Sequence, residues 1–161
     1  MHLDLRRFFE NNDIREPFEY NFKSNDSFVS SDIHVSGVVN NTAGIVSVSA
    51  NAELCITVHC ARCAKEIQKK LSVPVKHYLI AHLNNEDNDE YILVEDMELD
   101  LDRLVMEDIY LTLPSRFLCK PDCKGLCPVC GKDLNDGECG CKKATDPRLA
   151  VLQSLLSDEE Q

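Results

Sequence analysis

From residue 46 to residue 58 every even position is apolar: Val46, Val48, Ala50, Ala52, Leu54, Ile56 and Val58. The odd positions hold Ser47, Ser49, Asn51, Glu53, Cys55, Thr57 and His59. Successive side chains of a strand point to opposite faces, so this alternation predicts one long strand with one buried face. Phe18, Tyr20 and Phe22 alternate in the same way and predict a short half-buried strand. Ile33, Val35, Val38 and Val39 predict another, with Gly37 as a bulge or bend, and Asn40 to Gly44 reads as a hairpin turn. A further strand is expected to hold Val73, Val75, Leu79, Ala81 and Leu83, with Pro74 confining its start to an edge or a strand end.

The period then changes. Leu101, Leu104, Val105 and Ile109 have helical spacing, which predicts a helix near 101–112 with Asp100 or Asp102 as N-cap and Pro114 ending it. Near the end, Asp146-Pro147 sets an N-cap before a proline at the first helical position. Leu149, Leu152, Leu155 and Leu156 form one face of a short terminal helix, and Asp158-Glu159-Glu160 reads as a frayed tail. No internal repeat is present.

Length and composition narrow the class. A chain of 161 residues suits one compact domain with a small appendage, and 43% apolar content is ordinary. No run of 18 apolar residues occurs, and the start, Met1-His2-Leu3-Asp4-Leu5-Arg6-Arg7, lacks the apolar stretch of a signal peptide. The expectation is a cytoplasmic protein without a membrane span. The net charge of −11 is concentrated: Glu86 to Asp108 holds eleven acidic residues against one basic, a net −10. The polar stretch 84–90, which overlaps its start, reads either as a solvated loop or as an acidic patch for a partner. Non-specific wrapping of nucleic acid is not expected over such a surface.

Nine cysteines change the picture most. An odd count without an export signal disfavours a disulfide scaffold, and paired Cys-x-x-Cys and Cys-x-Cys spacings in a reducing compartment favour metal. The strongest signal is Cys127-Pro128-Val129-Cys130-Gly131, a zinc-knuckle turn in which two intervening residues let both sulfurs face one ion. Cys139-Gly140-Cys141 follows and completes a four-thiolate set. Four sulfurs around a tetrahedral zinc at about 2.3 Å sit about 4 Å from one another. Cys60-Ala61-Arg62-Cys63 with Cys119 and Cys123 could make a second such site. The rival grouping is Cys119, Cys123, Cys127 and Cys130. One to two structural zinc ions are therefore expected.

Cys55, on the polar face of the long strand, reads as a non-ligand thiol, and His59 as a substitute ligand at most. His2, His34, His77 and His82 have no metal spacing. Redox catalysis by Cys60 and Cys63 would call for a pair opening a helix in a thioredoxin-like βαβ unit, whereas this pair ends a long amphipathic strand. Catalytic zinc needs an open position, and the cysteines suffice to close every site. With no phosphate-cradling glycine loop either, the chain is not expected to be an enzyme or to take a small-molecule substrate.

The expected fold class is α+β: a β-dominant antiparallel sheet or partial barrel with a zinc-binding C-terminal loop and a short terminal helix. Residues 1–114 form the β-rich core with its one helix, and residues 115–161 the cysteine-rich zinc loop and terminal helix packed on it.

Several blocks also carry a family resemblance. Cys60-Ala61-Arg62-Cys63 follows a long strand, then come Leu99-Asp100-Leu101-Asp102 and Leu111-Thr112-Leu113-Pro114. Cys123-Lys124-Gly125-Leu126-Cys127-Pro128-Val129-Cys130-Gly131 and Asp146-Pro147-Arg148-Leu149-Ala150 complete the series. In this order, over roughly residues 30 to 156, they resemble the YceD family, the large ribosomal RNA subunit accumulation proteins. The resemblance implies a β-rich fold and a bacterial or organellar factor needed for normal levels of large-subunit ribosomal RNA. No enzymatic activity is implied.

The leading expectation is a non-enzymatic factor in large-subunit ribosomal RNA accumulation or ribosome assembly, meeting the ribosomal large-subunit precursor through a ribosomal protein or through rRNA. The alternatives are a cytosolic thiol-redox or zinc-sensing protein and a zinc-stabilised adaptor unconnected with RNA. Residues 115–143 carry only +2 before metal binds, so the acidic segment is the stronger candidate for an electrostatic contact.

Overall fold

A computed structural model of the chain describes residues 1–82, 91–94 and 96–141. The terminal helix expected over 146–156 and the acidic stretch 84–90 lie outside the described residues. In chain order the elements are β1 (His2–Asp4), α1 (Arg6–Glu10), β2 (Arg15–Phe22), β3 (Ile33–Thr42), β4 (Ile45–His59), β5 (Glu66–Ile80), β6 (Tyr91–Leu93), β7 (Glu98–Asp100) and α2 (Leu101–Thr112). The protein is strand-dominant. β2 to β6 form one five-stranded sheet in sequence order, curled as a half-barrel, while β1 and β7 pair separately. The sheet is antiparallel as far as β5, and the short β5–β6 pair at Tyr78–Ile80 is parallel.

The alternating pattern of the long strand is realised in β4. Val46, Val48, Ala52, Leu54 and Ile56 are buried and meet Ile33, Val35 and Val39 of β3 and Val73, Val75 and Leu79 of β5 in one core. Leu101, Leu104, Val105 and Ile109 of α2 join the same core, as do Leu5 and Phe8. Each buried Val, Leu, Ile or Phe among these contributes about 1.5–3 kcal/mol on burial. Asp100 is the N-cap of α2, accepting from the backbone N–H groups of Asp102 and Arg103, and the helix stops two residues before Pro114. On α2, Asp108 Oδ2 lies 2.8 Å from His77 Nε2 of β5, so this histidine serves packing within the core unit.

Two sequence expectations need correction. β5 begins at Glu66, well before Val73, and Pro74 lies in its middle. The run Glu66 to Ser72 is too polar to announce a strand, yet it pairs with β4 down to His59. Proline is tolerated there because the edge of β5 away from β4 is paired, among the described residues, only at Tyr78–Ile80. Gly37 is not a bulge: the β3–β4 register runs through it without interruption, with Gly37 opposite Ala50. A Cβ at Gly37 would lie 2.4 Å from Ala50 Cβ and 2.6 Å from the Ser49 carbonyl, so the glycine permits close approach of the two strands. The hairpin itself is a two-residue turn, Ala43-Gly44, with φ of 54° and 86°, the pair of positive values that a type I′ turn requires. Buried Asn41 steadies it, accepting from Gly44 N–H at 2.9 Å and donating to the Phe8 carbonyl at 2.7 Å.

The chain divides into two units. Met1–His59 with Glu66–Phe117 contains every element named above, and Cys60–Lys65 with the chain from Leu118 onward makes the second. No helix among the described residues is long and apolar enough to cross a membrane.

Gly37→Ala is expected to destabilise the fold by about 1–3 kcal/mol through overpacking, read as a lowered Tm. Adding Ala50→Gly should recover part of that loss, and simple additivity of the two changes would show that the contact with Ala50 is not the cause.

Candidate metal centre

The second unit is built from turns. After β4 the chain makes a tight reversal: Cys60 N–H donates to the Lys65 carbonyl at 2.8 Å, and Ala64 N–H to the Cys60 carbonyl at 2.9 Å, with Ala64 at φ 57°. This reversal puts Cys60 and Cys63 on one side. Cys119 and Cys123 come from the loop after Leu118, where Cys123 N–H donates to the Lys120 carbonyl. The sulfurs of Cys60, Cys63, Cys119 and Cys123 all lie within 4.8 Å of one another. Two separations are 3.8 Å (Cys60 to Cys123) and 3.6 Å (Cys63 to Cys119). A tetrahedral ion with metal–sulfur bonds of about 2.3 Å sets its ligands about 3.8 Å apart, so this donor set fits such an ion.

The surroundings of this first cluster supply donors. Cys119 N–H reaches Cys60 Sγ at 3.4 Å, and Asn135 Nδ2 reaches Cys123 Sγ at 3.4 Å. Arg62 donates to the Cys123 carbonyl at 2.7 Å, and the Arg62 carbonyl accepts from Leu126 N–H at 3.1 Å. Gly125 packs here at φ +78°, where an added Cβ would meet the Arg62 carbonyl at 3.0 Å. Cys60, Cys63 and Cys123 are buried, and Cys119 is half-buried.

The second cluster gathers Cys127, Cys130, Cys139 and Cys141, again with all sulfurs within 4.8 Å. Cys127-Pro128-Val129-Cys130-Gly131 folds as the expected knuckle. Val129 N–H points at Cys127 Sγ at 3.4 Å, and Gly131 N–H closes the turn on the Cys127 carbonyl at 2.9 Å with φ +73°. Only Cys127 is buried. The loops of the two clusters are joined by Asn135. It bonds Asp133 and Cys123 through its side-chain nitrogen and accepts from Lys124 N–H at 3.0 Å.

The structure thus places the eight cysteines singled out from the sequence in two groups of four. The rival grouping of Cys119 and Cys123 with Cys127 and Cys130 is not the one formed. Cys55 and His59 lie on β4, outside both clusters. Sequence reasoning missed Asn135 and Arg62. An amide donating to a thiolate eleven residues or more from its neighbours in the cluster leaves no local pattern, although Asp133-Leu134-Asn135 carries the turn signal that places it.

The thiols differ in acidity. The backbone N–H of Cys63, helped by those of Arg62 and Cys119, draws Cys60 down to about 6, and those of Cys130 and Val129 draw Cys127 down to about 6. Burial and the Cys123 thiol push Cys119 up to about 12, and the Cys130 contact with burial pushes Cys141 up to about 12. Each cluster therefore joins thiols that ionise readily to thiols that hold their protons unless a cation replaces them.

Comparison with known proteins decides the relationship. The family model for the large ribosomal RNA subunit accumulation protein YceD matches residues 48–156, a stretch that contains all nine cysteines. The chain belongs to the YceD family. An uncharacterized protein of Mycobacterium tuberculosis is 32% identical over 105 residues, covering 62% of this chain and 50% of the relative. An uncharacterized protein of Bacillus subtilis is 30% identical over 105 residues, 63% of this chain and 61% of the relative. The chloroplastic YCED homolog 1 of Zea mays is 34% identical over 62 residues, 38% of this chain and 21% of the relative. The chain spans about half the length of the mycobacterial relatives it matches. No solved structure matches it.

Adding a divalent thiophilic ion to the reduced, ion-free chain near neutral pH is expected to release protons, because Cys119 and Cys141 must give theirs up. Affinity should accordingly fall as pH falls. A weakly buffered titration with a pH indicator measures this, and binding without proton release would exclude these thiols as the ligands. Cys130→Ser is expected to lose one ion per chain and the order of the knuckle loop. Cys55→Ser should stay within about 0.5 kcal/mol of the parent in a thermal melt.

Proposed function

We propose that this chain is a non-enzymatic factor supporting large-subunit ribosomal RNA accumulation or ribosome assembly in the cytoplasm, with two structural zinc ions holding its second unit. The observation that carries the zinc reading is the pair of four-cysteine clusters at tetrahedral spacing. Thiolate sets of this kind suit zinc above the oxygen-seeking cations, and four protein ligands leave no open position for a substrate. Cys60, Cys63, Cys119 and Cys123 would hold one ion, and Cys127, Cys130, Cys139 and Cys141 the other. The ribosomal reading rests on the family and on the printed name of the maize homolog.

The contact with the large-subunit precursor runs through the acidic segment. Several of its acids already have partners: Asp100 caps α2, Asp102 meets the Met1 amine, Asp108 meets His77, and Glu107 meets Arg103 at 3.0 Å. The earlier part adds Glu86, Asp87, Asp89, Glu90, Glu95, Asp96 and Glu98 with no Lys or Arg among them in sequence. Such a segment repels phosphate and attracts a lysine-rich ribosomal protein. The competing reading, a thiol-redox or zinc-sensing protein, is favoured by the exposure of Cys130 and Cys141.

Replacing Glu86, Asp87, Asp89 and Glu90 by the corresponding amides should weaken co-sedimentation with large-subunit particles and flatten its salt dependence. Unchanged or tighter association would reject the acidic segment as the docking site. Reactive thiols located before and after chelation separate the two readings: structural zinc keeps Cys60, Cys63 and Cys123 unreactive until the metal is removed, whereas a thiol-redox protein shows them reactive as purified.

A further inference from the structure

The two clusters have the same donor set and different surroundings. In the first, three of four cysteines are 1–7% exposed, and side chains from outside the ligand set close over it: Asn135 Nδ2 on Cys123 Sγ and Arg62 on the Cys123 carbonyl. Its ligands come from two stretches, so the ion would close a long chain loop between Cys63 and Cys119. In the second, Cys127 is buried, Cys139 is half-buried, and Cys130 and Cys141 are exposed. Its N–H···S donors are backbone groups of its own loop, led by Val129 N–H on Cys127 Sγ at 3.4 Å, and among the described residues no side chain from outside the ligand set donates to its sulfurs. A cleft of about 250 Å³ opens beside these sulfurs, lined by Pro128, Val129, Leu134 and Glu138 together with the cysteines. Val129 on its rim is 61% exposed.

Exchange of a thiolate-bound ion proceeds by attack of an incoming ligand on the metal and by reprotonation of a departing sulfur. Both steps require access, and an accessible thiolate is the reactive one. Donors to sulfur from a surrounding shell also tighten a site, and their removal costs 10–100-fold in affinity where it has been measured. The first cluster has such a side-chain shell, while the second has the cleft and, among the described residues, lacks the shell.

Building on the reading of both clusters as metal sites, we infer that Cys127, Cys130, Cys139 and Cys141 form a releasable site for a thiophilic divalent cation while Cys60, Cys63, Cys119 and Cys123 retain theirs. The knuckle loop from Cys127 to Cys141 then orders and loosens with metal supply. The reversal at Cys60–Lys65 and the loop through Cys123 stay folded around the first ion. Among the described residues, Glu138 is the one acidic residue lining the cleft.

The test uses the full chain with its metal as purified. Metal content is measured first, then release into an excess of a colorimetric chelator in the presence of N-ethylmaleimide, with the alkylated cysteines located by mass spectrometry over time. The expected result is two ions per chain and two phases, one ion leaving at least about tenfold faster than the other. Alkylation in the fast phase should mark Cys127, Cys130, Cys139 and Cys141 and spare Cys60, Cys63 and Cys123. One ion as purified, with the second cluster's thiols already reactive, also supports the inference. A single phase, or early labelling of the first cluster, overturns it while leaving the metal reading in place. A chain that holds no metal and gains none on adding zinc under reducing conditions overturns both.

Discussion

Four thiolates cannot share so small a space without a cation. Two like charges about 4 Å apart repel by about 4 kcal/mol at an effective dielectric constant near 20, and each cluster holds six such pairs. A divalent ion at the centre would reverse the sign of that sum, and metal binding and folding would then be one process. The second unit has no regular helix or strand among its described residues before Cys141. Its turns are ordered by short backbone bonds such as Cys127 N–H to the Lys132 carbonyl and Leu134 N–H to the Gly125 carbonyl. Those bonds shape the loops, and a bound ion would tie their sulfurs together.

The first unit rests on a different principle. Its apolar core is assembled around β4, with aliphatic side chains from β3, β5 and α2 arriving on the same face. It needs no ligand to explain its packing. The chain leaves this unit after His59 and re-enters it at Glu66, so the Cys-x-x-Cys of the first cluster is the tip of the longest hairpin in the sheet. The chain of the β4–β5 ladder therefore passes directly into the turn that carries Cys60 and Cys63.

Much of this was legible in the sequence because the signals are periodic and local. The alternation from Val46 to Val58 predicts β4, the 3–4 spacing from Leu101 to Ile109 predicts α2, and paired cysteines predict metal-ligand turns. What escaped is short or non-local. β1, β7 and α1 are three to five residues long, too short for a period to show. The first half of β5 is held by its pairing with β4, and its own side chains are mostly polar. Gly37 carries no sign in the sequence that Ala50 lies opposite it. Asn135 looks like a turn residue and is one, yet its amide also reaches a sulfur twelve positions back, and only the fold brings the two together.

Both flanks of the sheet carry a proline: Pro17 in the outermost strand β2, and Pro74 in β5 where β6 does not reach. Charged residues lie close by, Glu16 and Glu19 beside the first, Lys69, Lys70 and Lys76 near the second. A missing amide hydrogen and a like-charged fringe make each margin a poor template for a strand from another molecule. Two copies meeting β2 to β2, or β5 to β5, would bring like charges together as well as a residue with no amide hydrogen to donate, so neither margin readily adds its own counterpart as a further strand.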